Sequence, residues 1–553
     1  MATPVTLTFL GGLGEIGRNC AAIETEGRIV VLDCGQMFGG DDLPGVDAVF
    51  PDLTYLIENA DRVEACIATH AHEDHIGALP YLLSHMAIPI YGSPFTLGLV
   101  DHKLRERGLQ SQADLRPISD GDRLDVGPFD CEFLPVTHSI PSGNITAFHT
   151  DQGVILHSSD FKLDLTPVDG RRTDLSRIGS LAHDPGIRLL LADSTNADSP
   201  GASKSETEIG RNLASLIRSQ EGRRVIVASF ASHVHRIQQL ADAAVESGRI
   251  LVTLGLSMRR NVKLARDLDI LRIPDANIRD IDDLDELDQS RALIVCTGSQ
   301  GEPRAALTQM ATGQSKWLML DENDSVIFSS HPIPGNETAV ASVRNGLARH
   351  GVRVFHSGMI DVHTSGHGKQ QELQTLHSVA VPEWFVPVHG EYAHLVAHQE
   401  LAFRMGMPDE RVVLCEDGDQ IVLSDDGIEH LGSIGGEHLY VDGMVGDLGS
   451  AVLAERRTLG DDGFVVVVVH IDMERGEILA GPDVTSRGWV ELPALAGHEA
   501  AVADAVETDL LDALKDPDVD IERMSQIARR AAGRTVNDRT RRRPMIVPVV
   551  RED

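Results

Sequence analysis

The chain has 553 residues, too many for one ordinary domain core, and this length predicts about three or four domains. Its composition is that of a globular protein, and no apolar run approaches the roughly 20 residues of a membrane-spanning helix, which argues against a membrane protein. The net charge of −35 disfavours a polyanionic partner on average, although bound metals and a local basic lining can dominate within a Debye length of about 8–10 Å.

A glycine motif follows the first predicted strand. Residues 6–10 alternate as a strand does, and the next stretch contains a literal GxGxxG at Gly12, Gly14 and Gly17, the fingerprint of a dinucleotide site. That fingerprint requires a helix after the glycines. Residues 18–24 and 28–32, joined by a turn at 26–27, instead predict a β-hairpin. We therefore reject a dinucleotide site and expect the glycines to shape a loop beside a metal site.

A dense group of metal-ligand residues follows the apolar run 65–68, which predicts a buried strand. His70, His72, Asp74 and His75 lie within six residues. A strand directs side chains two apart to the same face, so His70 and His72 could share one ion. A tight turn into a helix would direct Asp74 and His75 to a neighbouring ion. Imidazole with carboxylate suits zinc or manganese, whereas calcium and magnesium prefer oxygen ligands.

Further polar residues stand at the carboxyl ends of later predicted strands. His138 follows residues 129–136, Asp160 follows residues 153–157, and Asp193 follows residues 187–192. Layered α/β folds place their sites at such strand ends, although each residue alone could equally be a loop or cap residue. Together they predict that His138 completes the shell of the first ion and that Asp160 bridges both ions.

From about residue 205 the chain predicts a separate βαβ series with a parallel sheet and its own core. Strand ends such as 229–233 and 297–299 could bind phosphate through backbone N–H groups, or could simply cap helices. The predicted helices are 206–220, 234–246, 258–268 and 303–312, and the predicted strands are 225–229, 250–254, 292–296 and 325–329.

Two more histidine segments follow this series. His363 and His367 flank Thr364, Ser365 and Gly366, and His389 follows the apolar strand 384–386, where it could supply the missing ligand of the second ion. A glycine-rich stretch near 432–436 predicts a linker. Residues 463–553 predict a small α/β unit in which a cluster of arginines forms a solvated face, ion pairs or a nucleic-acid contact.

These motifs resemble those of known families. The pattern His70-Ala71-His72-Glu73-Asp74-His75, with His138 and Asp160 in order, resembles the metallo-β-lactamase superfamily, and the insertion after Asp193 resembles a β-CASP domain. Residues 10–19 (LGGLGEIGRN), 332–337 (PIPGNE), 387–391 (PVHGE) and 542–548 (RRPMIVP) resemble the ribonuclease J family.

The resemblance implies an α/β fold: a metallo-β-lactamase αββα sandwich with an inserted β-CASP α/β domain and a small C-terminal α/β domain. The domain boundaries expected from it are 1–205 and 361–435 for the metal domain, 206–360 for the insertion, 436–462 for a linker and 463–553 for the C-terminal domain.

The resemblance also implies the activity. It implies a cytoplasmic 5′-to-3′ exoribonuclease with endonuclease activity that prefers 5′-monophosphorylated single-stranded RNA, acts in mRNA decay and rRNA maturation, and forms a homodimer or homotetramer. It implies two zinc ions per subunit, with manganese or magnesium as alternatives in activity, and a structural calcium near Asp47 and Asp442. The implied metal ligands are His70, His72 and His138 for the first ion, Asp74, His75 and His389 for the second, and Asp160 between them.

Roles follow from the same resemblance. Asp74 is expected to orient or deprotonate the attacking water, and either His363 or His367 to protonate the leaving group. Asp33 and Asp193 are expected to support the ligands. The implied substrate-phosphate pocket comprises His363, Thr364, Ser365, Gly366 and His367, with Ser232, His233 and His235 as further candidates.

The chain departs from the family pattern at two positions, and other functions compete. Ala71 stands where many relatives carry glycine, and His331 stands where a third serine is expected.

The competing functions are a DNA-directed β-CASP nuclease, a hydrolase of small thioesters or lactams, and a catalytically weak RNA-binding subunit. Six cysteines without CxxC spacing and the lack of a secretory pattern favour the cytoplasm.

Overall fold

Two β-sheets packed face to face carry the predicted metal-ligand sequences. The computed structural model describes residues 2–40, 43–333, 335–443, 445–446 and 448–552, so Pro334 of the PIPGNE motif lies outside the described residues. Contacts within the chain define two compact units, Met1–Met37 with Phe50–His438, and Phe38–Val49 with Leu439–Asp553.

The first sheet of the larger unit has eight strands. Helices Leu79–His85 and Pro94–Arg107 bury apolar side chains near its far edge. In spatial order the strands are Gly427–Ser433, Asp419–Ser424, Val5–Gly11, Cys20–Thr25, Arg28–Leu32, Val63–Ile67, Pro89–Gly92 and Asp114–Pro117. Cys20–Thr25 and Arg28–Leu32 pair antiparallel, which confirms the hairpin and excludes the dinucleotide-binding helix.

The second sheet has six strands and ends in three parallel ones. In spatial order the strands are Arg123–Val126, Phe129–Pro135, Asn144–Thr150, Gly153–His157, Ile187–Asp193 and Trp384–Val388. Apolar side chains of both sheets, such as Leu7, Phe129 and Val386, form one core between them. The outer face packs against helices Leu175–His183, Gln370–Ala380 and Tyr392–Arg404. This arrangement confirms the predicted αββα sandwich.

The insertion between the last two strands of the second sheet builds its own parallel sheet. Its central strands are buried along their whole length because helices cover both faces, which explains their continuous apolar runs. The strand order is Ile278–Asp280, Ile250–Leu254, Ala292–Cys296, Arg224–Ala228, Asp324–Phe328 and Arg353–His356. The helices are Glu206–Ser219, Val234–Glu246, Leu256–Asp267, Ala306–Ala311 and Glu337–Arg349. The predicted parallel α/β insertion is confirmed.

The C-terminal strands show a different pattern. Phe464–Asp472 alternates between buried and half-buried residues, because helices Leu492–Ala513 and Ile521–Thr540 cover one face of its sheet. It pairs with Glu477–Arg487 antiparallel and with Met545–Glu552 parallel. The predicted small α/β unit at the C-terminal end of the sequence is therefore confirmed.

The segment expected to be a linker is structured. Residues 436–462 contain the strand His438–Asp442 and the helix Ser450–Asp461. Of the described residues of this helix only Leu453 is buried, so its apolar periodicity was too weak to indicate a helix. The domain boundaries themselves stay predictions.

The remaining elements are short. Leu13–Gly14 pairs with Gly390–Glu391 in a two-stranded sheet. Met37–Phe38, Ala48–Pro51 and Val445–Gly446 are the other short strands, and Thr54–Glu58 and Glu73–Ile76 are short helices. No helix in the described part of the chain is both long and apolar enough to cross a lipid bilayer.

Candidate active site

Strand ends bring the predicted ligands together at one edge of the paired sheets. His70 and His72 follow the strand Val63–Ile67, and Asp74 and His75 lie in the one-turn helix Glu73–Ile76, as the tight turn predicted. Asp160, Asp193 and His389 stand at the same ends of three neighbouring parallel strands. The topology therefore gathers residues that are more than 200 positions apart in the sequence.

The first ligand group consists of His70, His72, His138 and Asp160, whose ligand atoms all lie within 4.8 Å of one another. His72 Nδ1 lies 3.1 Å from His70 Nε2 and 3.1 Å from His138 Nε2. A tetrahedral zinc ion with Zn–N distances of about 2.0–2.1 Å sets its nitrogen ligands about 3.3 Å apart. The three imidazoles therefore fit a tetrahedral ion of this size.

The second ligand group consists of Asp74, His75, Asp160 and His389. Asp74 Oδ2 lies 3.3 Å from His389 Nε2, and Asp160 Oδ2 lies 3.3 Å from His75 Nε2. Asp160 Oδ2 also lies 3.5 Å from His70 Nε2 of the first group. Asp160 is thus the carboxylate common to both groups, which is the position of a bridging ligand.

Hydrogen bonds on the far side of the rings fix which nitrogen faces each ligand group. His138 Nδ1 donates to the Gly366 carbonyl at 2.8 Å, and His75 Nδ1 donates to Asp33 Oδ2 at 2.7 Å. These bonds place the lone pair on Nε2, where each ring faces its group.

A hydroxyl fixes the His389 ring in the same way. The Thr195 hydroxyl donates to Asp193 Oδ1 at 2.8 Å, so it accepts from His389 Nδ1 at 2.7 Å. In the same way, the Thr69 hydroxyl donates to Asp33 Oδ2 and accepts from His70 Nδ1. The buried carboxylates Asp33 and Asp193 are therefore linked to the candidate ligand rings by these hydrogen bonds, and their role in metal binding stays a prediction.

Unusual backbone conformations accompany these residues. Asp33, Ser159 and His389 have φ of 58°, 54° and 55°, a left-handed conformation that costs a non-glycine residue roughly 1–2 kcal/mol. Close approach also demands glycine at Gly366, where a Cβ would lie 2.7 Å from His138 Cε1. Such strain persists where the surrounding structure holds a functional geometry.

The buried carboxylates control the protonation of the second group. Burial alone would lower the pKa of His75, but Asp160, Asp33 and Asp74 raise it well above its ordinary value. Burial alone would raise the pKa of Asp160, but His389, His75 and His70 hold it well below its usual range. Ionised carboxylates therefore face these imidazoles, and a divalent cation that binds there would displace the ring protons.

Burial dominates in the first group. It lowers the pKa of His72 to about 4, and burial together with His75 lowers the pKa of His70 well below its ordinary value. Neutral imidazoles are the form that binds a metal. The donor chemistry therefore fits divalent-metal binding in both groups.

The two candidates for the leaving-group acid lie in different surroundings. His367 donates from Nδ1 to Asp193 Oδ2 at 2.7 Å, and its Nε2 lies 4.0 Å from Asp160 Oδ2. Its ring centroid is 5.0 Å from that of His138 and 5.3 Å from that of His389. His363 instead packs against His331, with ring centroids 4.9 Å apart, and lies 6.3 Å from His233.

We call His233, His331 and His363 the insertion histidine cluster. Glu206 lies beneath it with 4% of its side chain exposed, 3.4 Å from His233 Nε2 and 2.6 Å from Arg236 Nη2. Lys162 Nζ lies 3.3 Å from Glu206 Oε1. Asp164, itself buried, accepts from Glu206 N at 2.8 Å, so two buried cations accompany two buried carboxylates.

The other predicted pocket residues lie near the insertion histidine cluster or bond to the backbone. Ser365 Oγ accepts from Asn196 Nδ2 at 2.9 Å, and Thr364 Oγ1 donates to the Lys204 carbonyl at 3.3 Å. His235 Nε2 lies 3.6 Å from Asp169, and half-buried Ser232 directly precedes His233. Their roles in substrate binding stay predictions.

Asp47 and Asp442 are the residues of the expected calcium site. Asp47 Oδ2 accepts from Gly443 N, and Asp442 Oδ2 accepts from Arg456 at 2.8 Å. Neither carboxylate belongs to a metal-ligand group within the described ranges. The calcium site stays a prediction.

Sequence reasoning missed several supporting residues. The Asn19 side-chain amide lies 3.0 Å from the Asp74 carbonyl and 3.1 Å from His75 Nε2, and Glu206 and Arg236 form the buried pair of the insertion. A polar residue in a predicted hairpin or helix gives no local signal that a partner distant in sequence will bury it.

Four family models match consecutive parts of the chain. They are "Metallo-beta-lactamase superfamily" over residues 13–161, "Ribonuclease J, beta-CASP domain" over 222–347, "Zn-dependent metallo-hydrolase RNA specificity domain" over 352–413 and "Ribonuclease J C-terminal domain" over 451–552. The matched regions fall within the sandwich, the insertion and the C-terminal unit.

Curated relatives match nearly the whole chain. Ribonuclease J of Mycolicibacterium smegmatis is 42% identical over 99% of this chain and 97% of its own length, and Ribonuclease J 1 of Streptococcus pyogenes is 40% identical over 98% and 96%. Ribonuclease J2 of Bacillus subtilis is 34% identical over 99% and 98%.

A solved structure supports the fold. A protein of unknown function from Enterococcus faecalis matches 76% of this chain and 100% of its own, with a TM-score of 0.54 and 16% identity. The family models and the curated relatives establish that the chain belongs to the ribonuclease J family of metallo-β-lactamase, β-CASP nucleases.

Proposed function

We propose that the chain is a two-zinc ribonuclease that degrades 5′-monophosphorylated single-stranded RNA from the 5′ end and also cuts internally. The observation that carries this proposal is the sharing of Asp160 by two complete ligand groups in a ribonuclease J family chain. The roles proposed for this chain are mRNA decay and rRNA maturation, in the cytoplasm, as a homodimer or homotetramer. The six cysteines, all free and buried, accord with a reducing compartment.

The proposed metals follow from the donor atoms. His70, His72 and His138 would hold one zinc ion, Asp74, His75 and His389 the other, and Asp160 would bridge them. Manganese or magnesium could replace zinc in activity, because half of the second group is carboxylate. Two such ions, when bound, would lower the pKa of a water between them and offset charge on the phosphate.

Protein groups would then place and move the protons. The Asp74 side chain is 27% exposed and that of the other ligand carboxylate, Asp160, is 3% exposed. Asp74 can therefore reach and orient the attacking water. His367 is proposed as the acid that protonates the leaving 3′-oxygen, because Asp193 fixes its Nδ1 and leaves Nε2 beside the ligand groups. His363 is assigned to the phosphate pocket, since it lies in the insertion histidine cluster.

The RNA terminus would bind near that cluster. Arg236 and Lys162 are buried there beside Glu206, and local cations can act on a phosphate within a Debye length of about 8–10 Å despite the net charge of −35. Ser365, Gly366 and the residues around Ser232 and His235 would contribute hydroxyl and N–H donors. With aromatic residues at 4%, contacts to the RNA backbone should dominate over base stacking.

The test uses one sequence prepared as 5′-monophosphate RNA, 5′-triphosphate RNA and single-stranded DNA, each with Zn²⁺ or Mn²⁺. Mononucleotides should accumulate from the labelled 5′ end of the monophosphate RNA first. The matched controls are His75→Ala, which should abolish turnover and lower bound metal, and His183→Ala at an exposed helix end, which should change neither.

Each other outcome has a defined meaning. Equal cleavage of DNA would favour a DNA-directed β-CASP nuclease. Tight RNA binding without turnover in the metal-loaded wild type would favour a catalytically weak RNA-binding subunit. Internal fragments without mononucleotides would contradict the exonuclease assignment while leaving the endonuclease intact.

A further inference from the structure

Two buried histidines outside the ligand groups contact each other behind the second sheet. His377 of the helix Gln370–Ala380 is 6% exposed, His398 of the helix Tyr392–Arg404 is fully buried, and their Nε2 atoms lie 3.1 Å apart. Both rings pack edge-on against Phe385, with ring centroids 4.5 Å and 4.7 Å away. The proposed reaction uses neither ring, and an imidazole in an apolar core is costly unless it is hydrogen-bonded.

The hydrogen bonds of this pair end on Ser194. Ser194 Oγ lies 3.0 Å from His398 Nδ1 and donates to the Ala192 carbonyl at 3.2 Å. Because a hydroxyl has one hydrogen, Ser194 accepts from His398, and His398 Nδ1 therefore carries the proton.

The protonation of the pair gives the hydrogen bonds one direction. Burial, and after it His377, lower the pKa of His398 well below its ordinary value despite the opposite effect of Asp193. The His398 ring is therefore neutral, and its Nε2 accepts from His377 Nε2. Hydrogen bonds thus run from His377 through His398 to Ser194.

Ser194 connects two strand ends that carry the site. It directly follows Asp193, and its N–H donates to the His389 carbonyl at 3.1 Å. His389 has a φ of 55°, a conformation that a residue other than glycine keeps only where the surrounding structure holds it. Thr195, the next residue, contacts the ring of the same histidine at 2.7 Å. Residues 194 and 195 therefore hold both the backbone and the ring of His389.

Packing alone does not account for the pair. Its apolar neighbours include Leu373, Leu376 and Leu401, which belong to the core outside the second sheet. Apolar side chains of similar volume would fill the same space without the cost of burying ring nitrogens. The polar contacts of the pair are therefore better explained by the position that they give to Ser194.

We propose that His398 is a positioning residue for the second ligand group: it fixes Ser194, which holds the backbone of His389, and His377 fixes the tautomer of the His398 ring. The inference rests on the proposed metal binding by that group and adds to it a residue that acts only through others. Within the described residues, no metal-ligand group includes His398 or His377.

The experiment compares two variants of His398 in the full-length protein. His398→Leu removes the donor to Ser194, whereas His398→Asn keeps an N–H donor close to the position of Nδ1. The affinities of both zinc sites are measured by titration with Zn²⁺ against a competing chelator. One zinc ion should bind about tenfold more weakly in His398→Leu, because loss of a partner that orients a ligand typically costs about 10–100-fold in metal affinity. His398→Asn should restore the wild-type affinity.

A matched control separates positioning from general loss of stability. Leu401→Ala removes a fully buried apolar side chain from the next turn of the same helix. The cavity should lower Tm, and both zinc affinities should stay unchanged.

A second variant tests the same hydrogen bond from its other end. Ser194→Ala should reproduce the weaker zinc site, and it keeps the test decisive if His398→Leu does not fold. The double variant should bind zinc no more weakly than either single variant, because both substitutions break one interaction.

A measurement without metal separates this inference from the metal proposal. In the metal-free protein, the amide hydrogen of Ser194 should exchange about tenfold faster in His398→Leu than in wild type, because its bond to the His389 carbonyl opens more often. If wild type binds no zinc but this difference persists, the metal proposal fails and the role of His398 in holding His389 stands.

Three results would overturn the role of His398. Equal zinc loss in His398→Asn and His398→Leu would mean that the ring only packs. The same zinc loss in Leu401→Ala would mean that any destabilisation of this helix weakens the site. Unchanged zinc affinity in His398→Leu or in Ser194→Ala would mean that these hydrogen bonds do not control His389.

Discussion

The larger unit contains two sets of histidines, the ligand groups and the insertion histidine cluster, whose charged neighbours differ. In the second ligand group, Asp74, Asp160, Asp33 and Asp193 lie against the rings, and they raise the pKa of His75 and His389 although burial alone would lower both. In the insertion histidine cluster, burial lowers the pKa of His233 to about 4, and burial with Arg236 lowers that of His363 well below its ordinary value.

The difference shows that neighbouring charges, not the histidines themselves, decide what each group can bind. Rings backed by carboxylates form a site for cations. Rings near Arg236 and Lys162, with Glu206 as their shared anion, belong to the proposed phosphate pocket. The same residue type therefore serves metal binding and proposed phosphate binding within one chain.

The largest predicted effect comes from Asp160→Asn. Removing the shared charge should lower bound metal and reduce turnover by at least about 10³-fold, because loss of about 4 kcal/mol of transition-state stabilisation corresponds to that factor. The measurements are metal content by mass spectrometry and turnover of 5′-monophosphate RNA. Asp61→Asn, an exposed aspartate, is the matched control. Full metal content and near-normal turnover in Asp160→Asn would contradict the shared-ligand assignment.

His367→Gln should have the next largest effect. Removing a general acid typically costs about 10²–10⁴-fold in rate. We expect kcat to fall in this range with metal content unchanged, and a leaving group of low pKa to recover much of the rate. His363→Gln should instead raise KM for 5′-monophosphate RNA. A lower kcat in His363→Gln with a higher KM in His367→Gln would mean that His363 is the general acid and His367 binds the phosphate.

Glu206→Gln tests the charge balance of the insertion histidine cluster. Breaking a buried pair leaves Arg236 and Lys162 without their shared carboxylate, and we expect about 3 kcal/mol of lost stability. The measurement is the Tm of the metal-loaded variant, which should be lower than that of metal-loaded wild type. Burial alone would raise the pKa of Glu206, but Arg236, His233 and Lys162 hold it well below its ordinary value.

The sign of the pH dependence follows. Because the pKa of Glu206 is lower in the folded state, its contribution is fully present above the pKa of an unfolded glutamate, about 4.3, and is lost as pH falls towards the folded value. The Tm difference between wild type and Glu206→Gln should therefore be constant between pH 6 and 8 and shrink below about pH 4. A difference that grows on acidification would contradict the pairing.

Asp33→Asn should have the smallest effect of this series. Asp33 contacts the metal site only through His75 and Thr69, and loss of such a partner typically costs about 10–100-fold in metal affinity or activity. We expect weaker metal binding that excess metal restores, measured by competition with a chelator. A loss of activity that saturating metal does not rescue would mean that Asp33 acts directly in turnover.

Much of the fold could be predicted from local pattern. The apolar runs and their polar ends indicated the central strands of the insertion and the strands of the sandwich that carry the site, because a buried parallel strand needs a continuous apolar stretch. They missed other strands, such as Asp114–Pro117, Asn144–Thr150 and Arg353–His356. The strand and helix within 436–462 could not be found, because only Leu453 of the helix is buried among its described residues. A weakly amphipathic helix leaves little periodicity to detect.

The sequence by itself determined the chemistry of the metal site. The residue types and spacing of His70, His72, Asp74 and His75 already specify imidazole and carboxylate ligands at a strand–helix turn. Local periodicity can establish such a group because its members are neighbours along the chain.

Only the tertiary structure decided how distant residues divide between the two histidine groups. His363 and His367 are four positions apart, yet His367 pairs with Asp193 beside the ligands while His363 packs against His331 of the insertion. The same holds for Glu206, whose partners Lys162 and Arg236 come from different segments. Burial and charge balance are properties of contacts between segments, and no local pattern in the chain encodes them.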